Sequence, residues 1–229
     1  MLVNAARDAG RPPPRLLAVS KTQPAAAVAA LVALGQRAFG ENYVQEAAAK
    51  QAELQQAEPG APPLEWHLIG HLQSNKAREA ATLFDWVQTV DRAKLVAALA
   101  RHRDPARGPL NVLVQVNIDD EASKHGCRPD EVEALAMEIV ASEPALRLRG
   151  LMVIPTPHDD PELARPAFRR SRALFDAMRE RHPDIDTLSM GMSGDAAIAI
   201  AEGATMVRIG TALFGVREAP PAAPSYTGR

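Results

Sequence analysis

One cysteine, Cys127, stands in the 229-residue chain. An intramolecular disulfide is therefore excluded, the fold has to rest on its core, and a reducing compartment suits it. Charge of one sign is equally scarce: 26 lysines and arginines face 28 aspartates and glutamates, a formal net charge of −2, and no run of five like charges occurs. Such a balance does not make a nucleic-acid surface or an electrostatic tail. Long apolar runs are missing too. Met1 to Arg15 lacks the apolar centre of a signal peptide, and the stretch from Pro24 to Gly35 is too short to cross a bilayer. The expectation is a soluble, cytoplasmic protein whose partners include neither membrane nor nucleic acid. No glycine-rich dinucleotide fingerprint follows the first strand-like run, where Ser20-Lys21-Thr22-Gln23-Pro24 stands instead, so an open dinucleotide-binding sheet loses its usual support.

What is present is an alternation. With 46% hydrophobic residues the chain can bury a sizeable core in one α/β domain. Strand-like runs occur at Leu16–Ser20, Ala38–Asn42, Trp66–Gly70, Trp86–Val90, Val112–Asn117, Leu148–Ile154, Thr187–Met190 and Met206–Gly210. Each is followed by a segment of helical composition: Pro24 opens an alanine-rich helix, Ser74 and Asp91 read as helix caps, and Pro129-Asp130-Glu131 reads as a first turn. Leu163, Ala167, Leu174, Phe175 and Met178 make an apolar face opposite arginines 165, 169, 170, 172 and 179. Alternating strands and helices imply a parallel sheet with right-handed crossovers, and eight such units favour a closed (β/α)8 barrel over an open sheet. Residues 1–15 read as a short helical segment ended by Gly10 and Pro12-Pro13-Pro14, residues 16–217 as the barrel, and residues 218–229 as a flexible, proline- and alanine-rich tail.

In such a barrel the chemistry gathers at the carboxyl ends of the strands. Leu16-Leu17-Ala18-Val19-Ser20-Lys21 delivers an amine there. An amine among apolar groups loses solvation of its charged form and becomes a nucleophile toward an aldehyde or ketone. After the seventh strand, Ser189-Met190-Gly191-Met192-Ser193-Gly194-Asp195 offers glycines, hydroxyls and a helix expected to start near Ser193. After the eighth, Arg208-Ile209-Gly210-Thr211 repeats the glycine and hydroxyl. Together they read as an anion pocket. Arg208 interrupts an apolar strand, which is costly unless the charge is paired or serves a ligand. Barrel closure sets the eighth strand beside the first, so Lys21, Arg208 and these loops surround one pocket suited to a phosphorylated aldehyde such as pyridoxal phosphate. His67 and His71 stand at the spacing of a metal pair on a helix, but on a strand they merely share a face, and no metal site is assigned. Lys76, Lys94 and Lys124 read as surface charges.

Five segments carry a resemblance: Leu17 to Thr22, Phe39-Gly40-Glu41-Asn42-Tyr43-Val44-Gln45-Glu46, Trp66-His67-Leu68-Ile69-Gly70-His71-Leu72-Gln73-Ser74-Asn75-Lys76, Leu188 to Ser193, and Met206 to Thr211. In the same order they resemble the YggS/PROSC-type pyridoxal-phosphate homeostasis proteins, from about residue 15 to residue 216. The resemblance implies a single barrel of the alanine-racemase N-terminal-domain type that binds pyridoxal phosphate and regulates its supply without established turnover. It also implies roles: Lys21 in a Schiff base with the cofactor, Arg208 facing the pyridine nitrogen, Ser193, Gly210 and Thr211 holding the phosphate, and Asn42 beside the ring. Apo-enzymes that use the cofactor are the expected recipients, and a monomer is the expected state. The amino-terminal helix, Leu2 to Ala9, is shorter than the family usually has, and His71 stands at a variable position.

Two enzymes compete with this reading. A pyridoxal-phosphate amino-acid racemase needs a second base, which alanine racemases draw from a tyrosine in an additional carboxyl-terminal domain of a partner subunit. No room for that domain is expected after Gly215, and the two tyrosines here are Tyr43 and Tyr226. An arginine against the pyridine nitrogen also leaves the ring a weak electron sink. A Schiff-base aldolase without pyridoxal phosphate shares the lysine and the phosphate pocket but has no need of an arginine on the eighth strand.

Overall fold

The computed structural model describes residues 1–121 and 123–215; the tail expected at 218–229 lies outside the described residues. Eight strands form: β1 (Arg15–Val19), β2 (Ala38–Glu41), β3 (Glu65–Leu68), β4 (Trp86–Val90), β5 (Leu110–Val116), β6 (Leu146–Val153), β7 (Thr187–Met192) and β8 (Met206–Ile209). Each pairs in parallel with the next, and β8 closes on β1 with Leu17 opposite Arg208. The expected closed (β/α)8 barrel is what the chain adopts. Its helices are α1 (Leu2–Asp8), α2 (Ala25–Ala33), α3 (Val44–Ala57), α4 (Ala77–Leu83), α5 (Ala93–His102), α6 (Val132–Val140), α7 (Arg165–Arg181), α8 (Ala196–Ala201) and α9 (Thr211–Phe214). Among the described residues no helix is long and apolar enough to cross a membrane.

Several boundaries differ from the sequence reading. The strands β2, β3 and β8 stop short of Asn42, Gly70 and Gly210, which stand in the rim loops instead. The cause at Gly70 is local: a Cβ there would lie 2.2 Å from the Asn42 carbonyl oxygen, so the two loops touch where only glycine fits. Ser74 and Asp91 do not cap helices. Ser74 opens a 3-10 turn, Ser74–Lys76, and Arg92 holds the cap position of α5 while the Asp91 carboxylate is taken by the Arg92 guanidinium. On α7 the buried face is Ala167, Phe168, Ser171, Phe175 and Met178, with the expected Leu174 partly buried against the core, and Leu163 lies outside it, exposed in the preceding turn. Arg165 and Arg172 are not simply outward: Arg165 reaches Glu202 at 2.6 Å, and Arg172 pairs with Asp176 at 2.7 Å.

Most of the apolar core lies between the sheet and the helices, where Phe39, Phe84, Leu99, Ile139, Phe168 and Phe175 are buried, and α1 adds Ala6. The barrel interior is different. It holds two small apolar clusters, Leu17 with Ala38 and Met206, and Trp86 with Leu113 and Met152. Alongside them sit the fully buried polar residues His67, Gln88 and Ser189. The two-residue alternation of strand side chains sends both kinds inward.

Candidate cofactor site

At the carboxyl-terminal rim a cavity of about 310 Å³ opens between the ends of β1, β2, β3, β6, β7 and β8. Lys21, Asn42, Ser193, Arg208, Gly210 and Thr211, the six residues singled out from the sequence, all line it. So do Gln23, Ile69, Ile154, Met192 and Phe214, which were not singled out. Ile69 and Ile154 carried a signal that was not used: they continue the inward alternation of His67 and Met152. No aspartate or glutamate lines the cavity among the described residues. Its size suits a small cofactor, and its charge suits an anion.

The turn that presents Lys21 is clamped from α3. Lys50 Nζ donates to the Ser20 carbonyl at 2.8 Å, to Glu41 Oε1 at 2.6 Å and to Glu46 Oε1 at 3.2 Å. Ser20 Oγ donates to the same Glu41 oxygen at 2.6 Å, and the Thr22 amide donates to Glu46. Thr22 itself is held at φ 64°, a left-handed conformation costly for a β-branched residue. The backbone on both sides of Lys21 is thus fixed by one buried lysine and two glutamates. Burial pushes the Glu41 carboxyl up, with the Lys50 and Ser20 hydrogen bonds opposing it, and its Oε2 has no partner. Sequence reasoning missed Lys50. The available signal was its place on the buried stripe Val44, Ala47, Lys50 of α3.

Arg208 is 4% exposed. Its Nη1 donates to the carbonyl and the hydroxyl of Ser189, both at 2.8 Å, and its Nη2 donates to the Val153 carbonyl at 2.9 Å. A guanidinium carries five N–H donors, so donor capacity remains for the cavity. Burial pulls its pKa down to about 10, which leaves it cationic at neutral pH. Ser189, read from the sequence as part of an anion loop, instead turns into the barrel. The strand β7 runs on to Met192, so the loop proper is Ser193 to Asp195, and α8 starts at Ala196 rather than near Ser193. Asp195 accepts the Met192 amide at 2.6 Å.

The histidines separate. His67 is enclosed in the barrel, whereas β3 ends at Leu68 and His71 lies beyond it, exposed, so the two do not share a strand face. His71 stacks on His125, ring centroids 3.8 Å apart and planes at 16°, with its Nδ1 3.9 Å from Asp91. The lone pairs of an imidazole lie in its plane, so near-parallel rings aim theirs alongside one another and not at one ion. Lys94 is exposed, and Lys76 pairs with Glu79 at 2.8 Å. Lys124 is not the free surface charge expected: the loops after β5 and β6 converge on it, and it donates to Thr156 Oγ1 at 3.0 Å.

The closed parallel barrel, with a lysine in the turn after β1 and a buried arginine on β8, is a barrel of the alanine-racemase N-terminal-domain class. The family described as alanine racemase, N-terminal domain, matches residues 3–218. The pyridoxal phosphate homeostasis protein of Pseudomonas aeruginosa is 53% identical over 216 residues, 93% of this chain and 90% of that protein. The one from Escherichia coli K12 is 50% identical over 216 residues, 93% and 91%. Among solved structures, PipY of Synechococcus elongatus without PLP superposes with a TM-score of 0.82 at 39% identity, covering 94% of this chain and all of that one. PipY with PLP bound gives 0.78 at 38% identity over 94% and 100%. An alanine racemase of Clostridium difficile, 17% identical with a TM-score of 0.66 over 95% of this chain and 56% of that one, shares the fold alone. The chain belongs to the pyridoxal phosphate homeostasis proteins of the alanine racemase N-terminal-domain family.

Proposed function

We propose that the protein binds pyridoxal 5'-phosphate in the rim cavity and serves intracellular pyridoxal phosphate homeostasis, holding the cofactor through Lys21 without catalytic turnover. One observation carries this reading: Lys21, in the turn after β1, and Arg208, on the neighbouring strand β8, line a single cavity that no carboxylate lines among the described residues. The names of the relatives and the PLP-bound PipY structure support it. The cofactor supplies an aldehyde that condenses with a primary amine with loss of water, and a phosphate dianion. Lys21 presents that amine on its clamped turn. Ser193 and Thr211 would offer hydroxyls to the phosphate, and at Gly210 the backbone passes close to β1, where a Cβ would stand 3.3 Å from the Val19 carbonyl oxygen. Arg208 would hold the ring nitrogen, and Asn42 would stand beside the ring.

The donor set supports a carrier over a two-base racemase. Two-base racemisation requires a proton-transfer group opposite the lysine, and among the described residues the cavity is lined by no tyrosine, histidine, cysteine or carboxylate. The protein acts as a cytoplasmic monomer that delivers the cofactor to apo-enzymes. An absorbance spectrum with and without pyridoxal phosphate, then borohydride reduction and peptide mapping, tests the site. A visible band and a label on Lys21 are expected, both lost in Lys21→Ala. No band and no label refutes the reading, and racemisation or decarboxylation of an amino acid at enzymic rates refutes the carrier assignment. Arg208→Ala separates the aldolase reading, because it should loosen pyridoxal phosphate binding.

A further inference from the structure

Arg208 is a buried cation whose direct partners are neutral: the carbonyls of Ser189 and Val153 and the Ser189 hydroxyl. Among the described residues no carboxylate pairs with it, and Asp195 acts on it only through space. A buried charge without compensation is expensive. A series of hydrogen bonds leads from it to the other end of the barrel. Ser189 Oγ, which accepts from Arg208, gives its single proton to Gln88 Oε1 at 2.7 Å. The Gln88 amide nitrogen meets His67 Nδ1 at 2.9 Å, and His67 Nε2 meets Glu65 Oε1. Arg15 closes the series on the same Glu65 oxygen at 2.7 Å. Arg15 and Glu65 are the first residues of β1 and β3, so the series runs from the cofactor rim through the interior to the amino-terminal end.

The donor directions are set from both sides. The Ser189 proton requires an acceptor, which fixes the Gln88 carbonyl toward it and the Gln88 amide protons toward His67. His67 Nδ1 is then the acceptor, and Nε2 carries the proton and donates to Glu65. Burial keeps His67 neutral, consistent with that tautomer. Every bond therefore points its acceptor away from Arg208 and toward Glu65, and such a series is polarised by its terminal charge.

We propose that Glu65 is the counter-charge of Arg208, coupled to it through His67, Gln88 and Ser189, and that these four act as positioning residues for the arginine at the cofactor's ring. The part concerning the cofactor rests on the function proposed above; the coupling itself belongs to the ligand-free chain. Glu65→Gln removes the charge and keeps the shape. In ligand-free protein, ¹⁵N NMR should show His67 protonated on Nε2, and Glu65→Gln should shift the Arg208 guanidinium resonances. In a Ser189→Ala background that shift should vanish, because the link is cut while Arg208 keeps both carbonyls. Asp186→Asn, which removes the carboxylate paired with Arg149 at the same end of the barrel, should leave Arg208 unmoved. With pyridoxal phosphate, Glu65→Gln should weaken binding roughly tenfold, the low end of what outer-shell partners contribute at metal sites, and move the visible band. An Nδ1-protonated His67, an Arg208 signal insensitive to Glu65→Gln, or an equal response to Asp186→Asn would overturn the coupling, whether or not the cofactor binds.

Discussion

Lys50→Met tests the clamp beneath the reactive turn. Lys50 and Glu41 are 5% and 0% exposed, and methionine fills the space without the charge. Breaking a buried ion pair by removing one partner costs about 3–5 kcal/mol, a large share of the roughly 5–15 kcal/mol that holds a domain folded. Glu41 can relieve part of that cost by taking a proton, and this makes the loss depend on pH. Its folded-state pKa is already raised by burial, and Lys50 is the main group opposing the rise. A carboxyl with a raised folded pKa contributes stability below its unfolded value, near 4.3, and loses it as pH climbs through the folded value. Without Lys50 the window extends upward, so the variant should lose stability with rising pH by up to about 1.4 kcal/mol per unit. Denaturant unfolding followed by circular dichroism at pH 6 and pH 8 measures this. The variant should be more destabilised at pH 8, and Glu41→Gln added to Lys50→Met should restore much of the loss, since no charge then stays buried alone. A loss under about 1 kcal/mol, well below the buried-pair range, or equal losses at the two pH values, would refute the reasoning.

Three further outcomes are expected. Gly70→Ala places a methyl 2.2 Å from the Asn42 carbonyl oxygen, so it should displace Asn42, weaken cofactor binding and destabilise the fold by about 1–3 kcal/mol; unchanged binding and stability would contradict the contact. Cys127 is buried, and desolvation, with Glu131 and Asp91 adding to it, pushes its thiol up to about 12. It should resist a thiol reagent at pH 8 until denaturant is added, and rapid native labelling would count against its burial. His67 is held neutral by burial, so the unfolded chain binds the extra proton between the folded pKa and about 6.5. Stability should therefore fall as pH drops below that value, and His67→Gln should flatten the slope; an unchanged slope would mean that another group carries it.

The alternation of strand-like and helical runs determined the architecture, because both patterns are local and eight of them leave few ways to bury every strand. Position at strand ends determined Lys21, Arg208 and the glycine–hydroxyl loops as candidates, because a parallel barrel turns all its carboxyl ends to one rim. Which groups meet was decided by the tertiary structure alone. Gln88 reaches Ser189 across 101 residues only because β4 and β7 close around one interior. Lys50 reaches Ser20 across 30 residues because α3 packs under the first turn. His71 finds His125, not His67, because β3 ends before it. Such pairings depend on the direction each side chain takes once the sheet has closed, and that direction changes with a single residue of strand length, which composition and spacing leave open.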